Sequence, residues 1–213
     1  TLEDLSHAGE AEVNLVVSSV GIPAANVLRE KFGTPFLVGT PVEGYEGEIS
    51  DALEKAAESP CEAFEDKKEN SAEKSGAQIS GEQEELWKVT PDQVIYLRKK
   101  DSPLSGFIPI PDITLIGEPV TMGSLAAVIE QKYRKKVQLL CPLEITEGLL
   151  RQEDEVIRGE EAMEEKLKTA RIIVADPLYR PICPESATFY EMPHIAFSGR
   201  IYLKNLYNFR KTT

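Results

Sequence analysis

The chain has 213 residues, a formal net charge of -12 and ordinary apolar content, 41% of residues, which is room for one large or two small domains around a buried core. Such an acidic balance opposes binding to a phosphate backbone, which needs clustered Lys and Arg, so a nucleic-acid partner is not expected. No apolar run reaches the roughly 18 residues of a membrane span, so no membrane is expected either, and an N-terminus without a basic-then-apolar leader predicts a cytoplasmic protein.

The first residue is Thr1 rather than Met, which predicts a processed start or a piece of a longer chain. Val13–Ser18 (VNLVVS) is a near-continuous apolar run, the pattern of a strand buried on both faces. A turn at Ser19–Gly21 follows. Pro23 then stands at a first helical position, and Ala24, Val27, Leu28 and Phe32 recur at helical spacing up to Gly33, a C-terminal stop. Pro35–Val38 (PFLV) is the next strand, so residues 1–58 form one βαβ unit with a right-handed crossover, closed by a helix over Gly47–Glu58.

Residues 59–111 differ in kind. Ser59–Glu85 is polar, acidic and poor in large apolar groups, which predicts a flexible linker or surface insertion. Trp87–Leu97 predicts a helix-to-strand passage, and Asp101–Pro111 a connector rich in Pro.

Residues 112–213 form the second unit. Its predicted strands are Ile113–Ile116, Val137–Leu140 and Ala170–Ala175. Its predicted helices are Met122–Tyr133 (Leu125, Val128 and Ile129 inward), Gly159–Thr169 and one from Ile201, with Gly117–Pro119 as a turn. The fold class is therefore α/β: Rossmann-like units with parallel sheets flanked by helices.

In open parallel sheets, ligands sit beyond the carboxyl ends of the strands. If the segments near 13, 113 and 171 are interior, co-directional sheet members, the loops leaving them share a rim. Those loops are Ser18–Gly21, Gly117–Pro119, Cys141–Leu143 and Asp176–Tyr179. Neither glycine turn has GxGxxG spacing and no GxxxxGK[ST] occurs, so dinucleotide and P-loop chemistry lack support. Gly21 and Gly117 then serve tight turns. Glu118 is either a helix cap or, if its surroundings raise its pKa, an acid–base or cation-binding group. Asp176, followed by Pro177, is most simply a turn-maker or cap.

His194 lies in EMPHIAFSGR with no carboxylate or thiol beside it in sequence, so a structural role competes with metal ligation. His7 is expected to be exposed. Cys61, Cys141 and Cys183 are widely spaced without a CxxC pair, so a local zinc or iron–sulfur motif is not expected and their roles stay open. No GxSxG elbow is present, and the Glu-rich stretch Glu153–Glu165 is a solvated face. No catalytic residue can be named.

Two segments together resemble the nitrogenase component 1-type oxidoreductase family. One is AEVNLVVSSVGIPAANVLREKFGTPFLVGTPV, Ala11–Val42. The other runs from Ile113 to Tyr202 and holds LIGEPVTMGSLAAVIE, IIVADPLYRPICP and MPHIAFSGRIY. The resemblance implies a nitrogenase iron-molybdenum protein-like fold and the C-terminal portion of a subunit. It implies an iron–sulfur or related metallocluster in the full-length assembly, with none tightly bound to this chain alone. It also implies two partners, a homologous subunit and an ATP-dependent iron–sulfur reductase, and electron transfer to a small molecule or tetrapyrrole. The isolated chain would then be inactive. The pocket residues carried over are Ser18, Gly21, Gly117, Glu118, Asp176, His194, Ser198 and Gly199. In the family's α subunits a cofactor-ligating histidine precedes a Ser-Gly pair. Ser198 and Gly199 match that pair, but His194 is offset by one position and Pro193 holds the matching place. Gly44 is likewise displaced in the turn Pro41–Gly44. A non-catalytic scaffold of the same fold, holding a maturing cluster or a partner protein, is the alternative.

Overall fold

The computed structural model describes residues 7–58, 86–97, 110–143, 148–194 and 196–202. The predicted linker, Cys61, most of the connector and the helix beyond Tyr202 lie outside them. Among the described residues, no helix is long and apolar enough to cross a membrane.

The first unit holds β1 (Asn14–Val16), α1 (Ile22–Phe32), β2 (Phe36–Val38) and α2 (Glu46–Glu58). β1 and β2 are parallel, with Leu15 beside Leu37, and Val94 adds an isolated parallel bridge to Val38. α1 starts with Pro in its first turn. It ends at Gly33, whose φ of 72° is the left-handed conformation that Gly adopts without a Cβ penalty, and whose N–H donates to Arg29 O.

The second unit holds β3 (Ile113–Ile116), α3 (Pro119–Tyr133), β4 (Val137–Cys141), β5 (Glu155–Val156), α4 (Glu160–Leu167), β6 (Ile172–Ala175), β7 (Thr188–Glu191) and a short α5 (Gly199–Tyr202). Its sheet is five-stranded, in the order β5-β4-β3-β6-β7, and every pair is parallel. The chain winds outward from β3 through β4 to β5, then returns to β6 and β7 on the other side. This doubly wound order puts the topological switch point between β3 and β6.

Alternation along the central strands serves both faces. Leu115, Val137 and Leu139 pack with Met122 and Ala126 of α3. Ile116, Leu140 and Ile173 pack with Met163 and Leu167 of α4. Each of these large side chains contributes about 1.5–3 kcal/mol by leaving water. α3 is buried on more than one side. Its Val120 and Val128 join Val16, Ile22, Phe36, Val38, Tyr45 and Tyr96 in the core of the first unit. A two-stranded sheet has too little apolar area to stand alone, so the first unit uses α3 as a floor.

Several expectations need correction. The turn expected at Gly117–Pro119 ends one residue earlier, since Pro119 opens α3 with Glu118 as its cap. β5 and β7 were not foreseen, and α5 starts at Gly199 rather than Ile201. Trp87–Leu97 yields a bridge at Val94 and a 3-10 turn at Ile95–Leu97 rather than a full strand.

Gly123, inside α3, is set by packing. A Cβ there would lie 2.5 Å from the ring of Tyr96, which is buried and donates its hydroxyl to Leu149 O at 3.0 Å. Gly123→Ala should therefore lower stability by about 1–3 kcal/mol in a urea titration, although Ala is the better helix former by about 1 kcal/mol. An unchanged or higher midpoint would show that Tyr96 can step aside.

Candidate functional site

The carboxyl rims of the two sheets meet. Ser19, in the loop after β1, is buried, and its N–H donates to Glu118 Oε1 at 2.8 Å. Glu118 Oε2 accepts from Thr121 N at 2.9 Å, which caps α3. A second bridge lies alongside. Thr40, just past β2, donates its N–H to Ser124 Oγ at 2.9 Å, and its hydroxyl donates to Val17 O at 2.9 Å. The Ser124 hydroxyl in turn donates to Val120 O at 2.8 Å. Residues 99 and 84 positions apart are thereby joined in a closed polar seam, the form in which buried polar groups stabilise rather than weaken a core.

Asp176 organises the other side of the switch point. Only 2% of it is exposed. Its Oδ1 accepts from Leu178 N at 3.0 Å, capping the 3-10 turn Pro177–Ile182. Its Oδ2 accepts from His194 N at 2.8 Å, Ser198 Oγ at 2.6 Å and Ser198 N at 3.3 Å. Burial raises the cost of ionising this carboxyl, but the bonds from His194, Ser198 and Leu178 outweigh it and hold the group below its ordinary range. The segment after β7 is thus drawn across the carboxyl ends of β3 and β6.

Gly117, Glu118, Asp176 and His194 line one crevice there, together with Met122, Met192 and Phe197. The space left among them is about 10 Å³, no more than one water needs. The chain's own side chains fill the place where an open sheet of this order receives its ligand. A phosphate would seek the N-terminus of α3, but the carboxylate of Glu118 stands there and already accepts from Thr121 N.

Of the residues predicted to share a pocket, Gly117, Glu118, Asp176 and His194 are together, and Ser198 joins them through Asp176. The Gly199 N–H donates to His194 O, which closes the turn. Ser18 and Gly21 do not line the crevice. They flank Ser19, and Gly21 N donates to Ser18 O at 2.9 Å. Ser19, Thr40, Thr121 and Ser124 were missed. The signal for Thr40 was available, since it follows a buried strand just as Ser18 does.

The metal donors do not assemble. Among the described residues there is no group of three or more His, Cys, Asp and Glu able to hold a metal. His194 Nδ1 accepts from Ala196 N at 3.1 Å, so the neutral ring carries its proton on Nε2. A metal on Nε2 would need that proton moved to Nδ1, against the Ala196 N–H. Burial pushes the Cys141 thiol up to about 11, and its Sγ faces Leu143 O. Burial also raises Cys183, whose thiol donates to Tyr179 O at 3.2 Å. Ligation by His194 does not fit this arrangement, and the described donors do not fit a cluster held by this chain alone. His7 is exposed and pairs with Glu10.

Glu118→Ala should cost about 1–3 kcal/mol, because it orphans two N–H groups, one of them fully inside the seam. Glu118→Gln, which keeps an acceptor for one of them, should cost less. Thermal unfolding of both variants checks the order, and equal losses would deny the bridge to Ser19. Comparison with protein-family models finds no match, and neither do comparisons with curated proteins and with solved structures.

Proposed function

We propose that this chain is the C-terminal part of a cytoplasmic nitrogenase-like oxidoreductase subunit, and that it forms one wall of a metallocluster or substrate pocket completed by other segments or a homologous subunit. An ATP-dependent iron–sulfur reductase would supply the electrons. The observation that supports this reading is the convergence of both segments that carry the family resemblance. Ser19 from the first and Glu118, Asp176, His194 and Ser198 from the second meet at one rim. The wall would act by shape and hydrogen bonding, because its described donors suit no cluster.

That same donor set favours a second reading, a scaffold without catalysis. Iron analysis of the complete assembly, purified without oxygen, separates the two. Stoichiometric iron that stays bound and cycles between redox states supports the oxidoreductase. Iron that transfers to an acceptor protein supports the scaffold. An assembly that binds no iron at all contradicts both.

A further inference from the structure

The sealed switch point displaces the open volume of this rim by one strand. A cleft of about 340 Å³ lies past the carboxyl ends of β4, β5 and β6. Pro142 directly follows β4, Ile157 directly follows β5, and Leu178 and Tyr179 lie on the turn after β6. Its volume falls in the range of small-molecule sites, at the low end. Ile157 and Met163 are buried, at 7% and 2% exposure, while Leu178 stands at the mouth, more than half exposed. Among the described residues, no Lys or Arg lines the cleft and Glu160 is the one charged lining residue, in a chain of net charge -12. An anion is therefore disfavoured. The hydroxyl of Tyr179 makes no hydrogen bond among the described residues, although the side chain is half-buried, and its pKa is raised, first by burial and then by Asp176. No side chain caps α4, and its N-cap Gly159 and first residue Glu160 line the same cleft.

We propose that this cleft is a binding site for an uncharged, mostly apolar organic molecule of one or two rings that carries a carbonyl. The ring system would lie against Ile157, Met163 and Ile182, and the carbonyl would accept from Tyr179 Oη. The site goes beyond the function proposed above and depends on no cluster.

The test uses the full chain with ¹³C-methyl methionine, read by NMR, with acetophenone as the probe and benzoate as its charged analogue. Acetophenone should shift the Met163 methyl saturably and leave those of Met122 and Met192 in place. Benzoate should bind at least ten-fold more weakly. Tyr179→Phe should weaken acetophenone several-fold and leave toluene binding unchanged, and Leu178→Trp should close the mouth and abolish both. A Met163 methyl that does not respond saturably, a uniform response of all three methyls, or equal binding of benzoate overturns the proposal. Should Leu178→Trp fail to fold, the Tyr179→Phe comparison decides alone, and equal loss of both probes there would overturn it.

Discussion

Replacing Arg151 by Met should lower folding stability by about 3–5 kcal/mol at pH 7, the largest single effect expected in this chain. The guanidinium is 16% exposed and sits among carboxylates. Nη1 meets Glu130 Oε1 at 2.6 Å, Nε and Nη2 each reach Asp154 at 3.0 Å, and Nη2 also donates to Val137 O at 2.9 Å. Burial alone would disfavour this charge, but the bonds and fields of Asp154 and Glu130 outweigh it and hold the group more firmly protonated than usual. The Asp154 side chain is itself almost fully buried and accepts from Leu139 N at 3.0 Å, where β5 has not yet begun. One side chain thus fastens the β5 edge to β4 and to α3.

The variant leaves two carboxylates inside without a counter-charge. The Glu130 carboxyl is already raised, first by burial, with Arg151 opposing. Without Arg151 it rises further. A carboxylate whose folded pKa lies above its unfolded value weakens the fold at high pH, and the penalty fades as pH falls through the folded value. The gap between wild type and Arg151→Met should therefore narrow between pH 7 and pH 5 in paired urea titrations. A constant gap would mean that lost packing, rather than unpaired charge, carries the effect.

Asp176→Ala should cost about 2–4 kcal/mol, since three N–H groups and the Ser198 hydroxyl lose their acceptor in a nearly dry place. Here the sign with pH is the reverse. The folded carboxyl lies below its ordinary value of 3.8, so its contribution is fully present above about pH 4 and is lost as pH falls below that through the depressed folded value. Wild type should lose stability steeply with acid in that window, and Asp176→Asn should lose less of it. Parallel acid slopes for the two would place the titrating group elsewhere.

The two predictions differ in how far the sequence announced them. The strands read at Ile113–Ile116, Val137–Leu140 and Ala170–Ala175 were legible, to within two residues of their ends, because both faces of a central parallel strand are buried, which leaves an apolar run. Gly33 was legible because a local backbone need, positive φ, selects the residue. β5 and β7 were not. Glu155–Val156 and Thr188–Glu191 are edge strands, mostly polar and part-exposed, and only their pairing with β4 and β6 defines them.

The site followed the same division. Asp176 and Glu118 as helix caps are local features, and the sequence suggested both. Their second roles are not local. Three of the four bonds to Asp176 come from residues 18 and 22 positions later, and no short-range pattern encodes that return. Arg151 sits in a loop with ordinary charged neighbours, so its burial had no signature.

The closure of the switch point by Met192, His194, Phe197 and Ser198 is tested most directly by amide hydrogen exchange. The N–H groups of His194 and Ser198 should be protected in the wild-type chain, and that of Ser19 with them. In Asp176→Ala the first two should exchange at least a hundred-fold faster while the amides of β3 and β6 keep their protection. Unprotected His194 and Ser198 amides in the wild-type chain would show an open crevice and contradict this account.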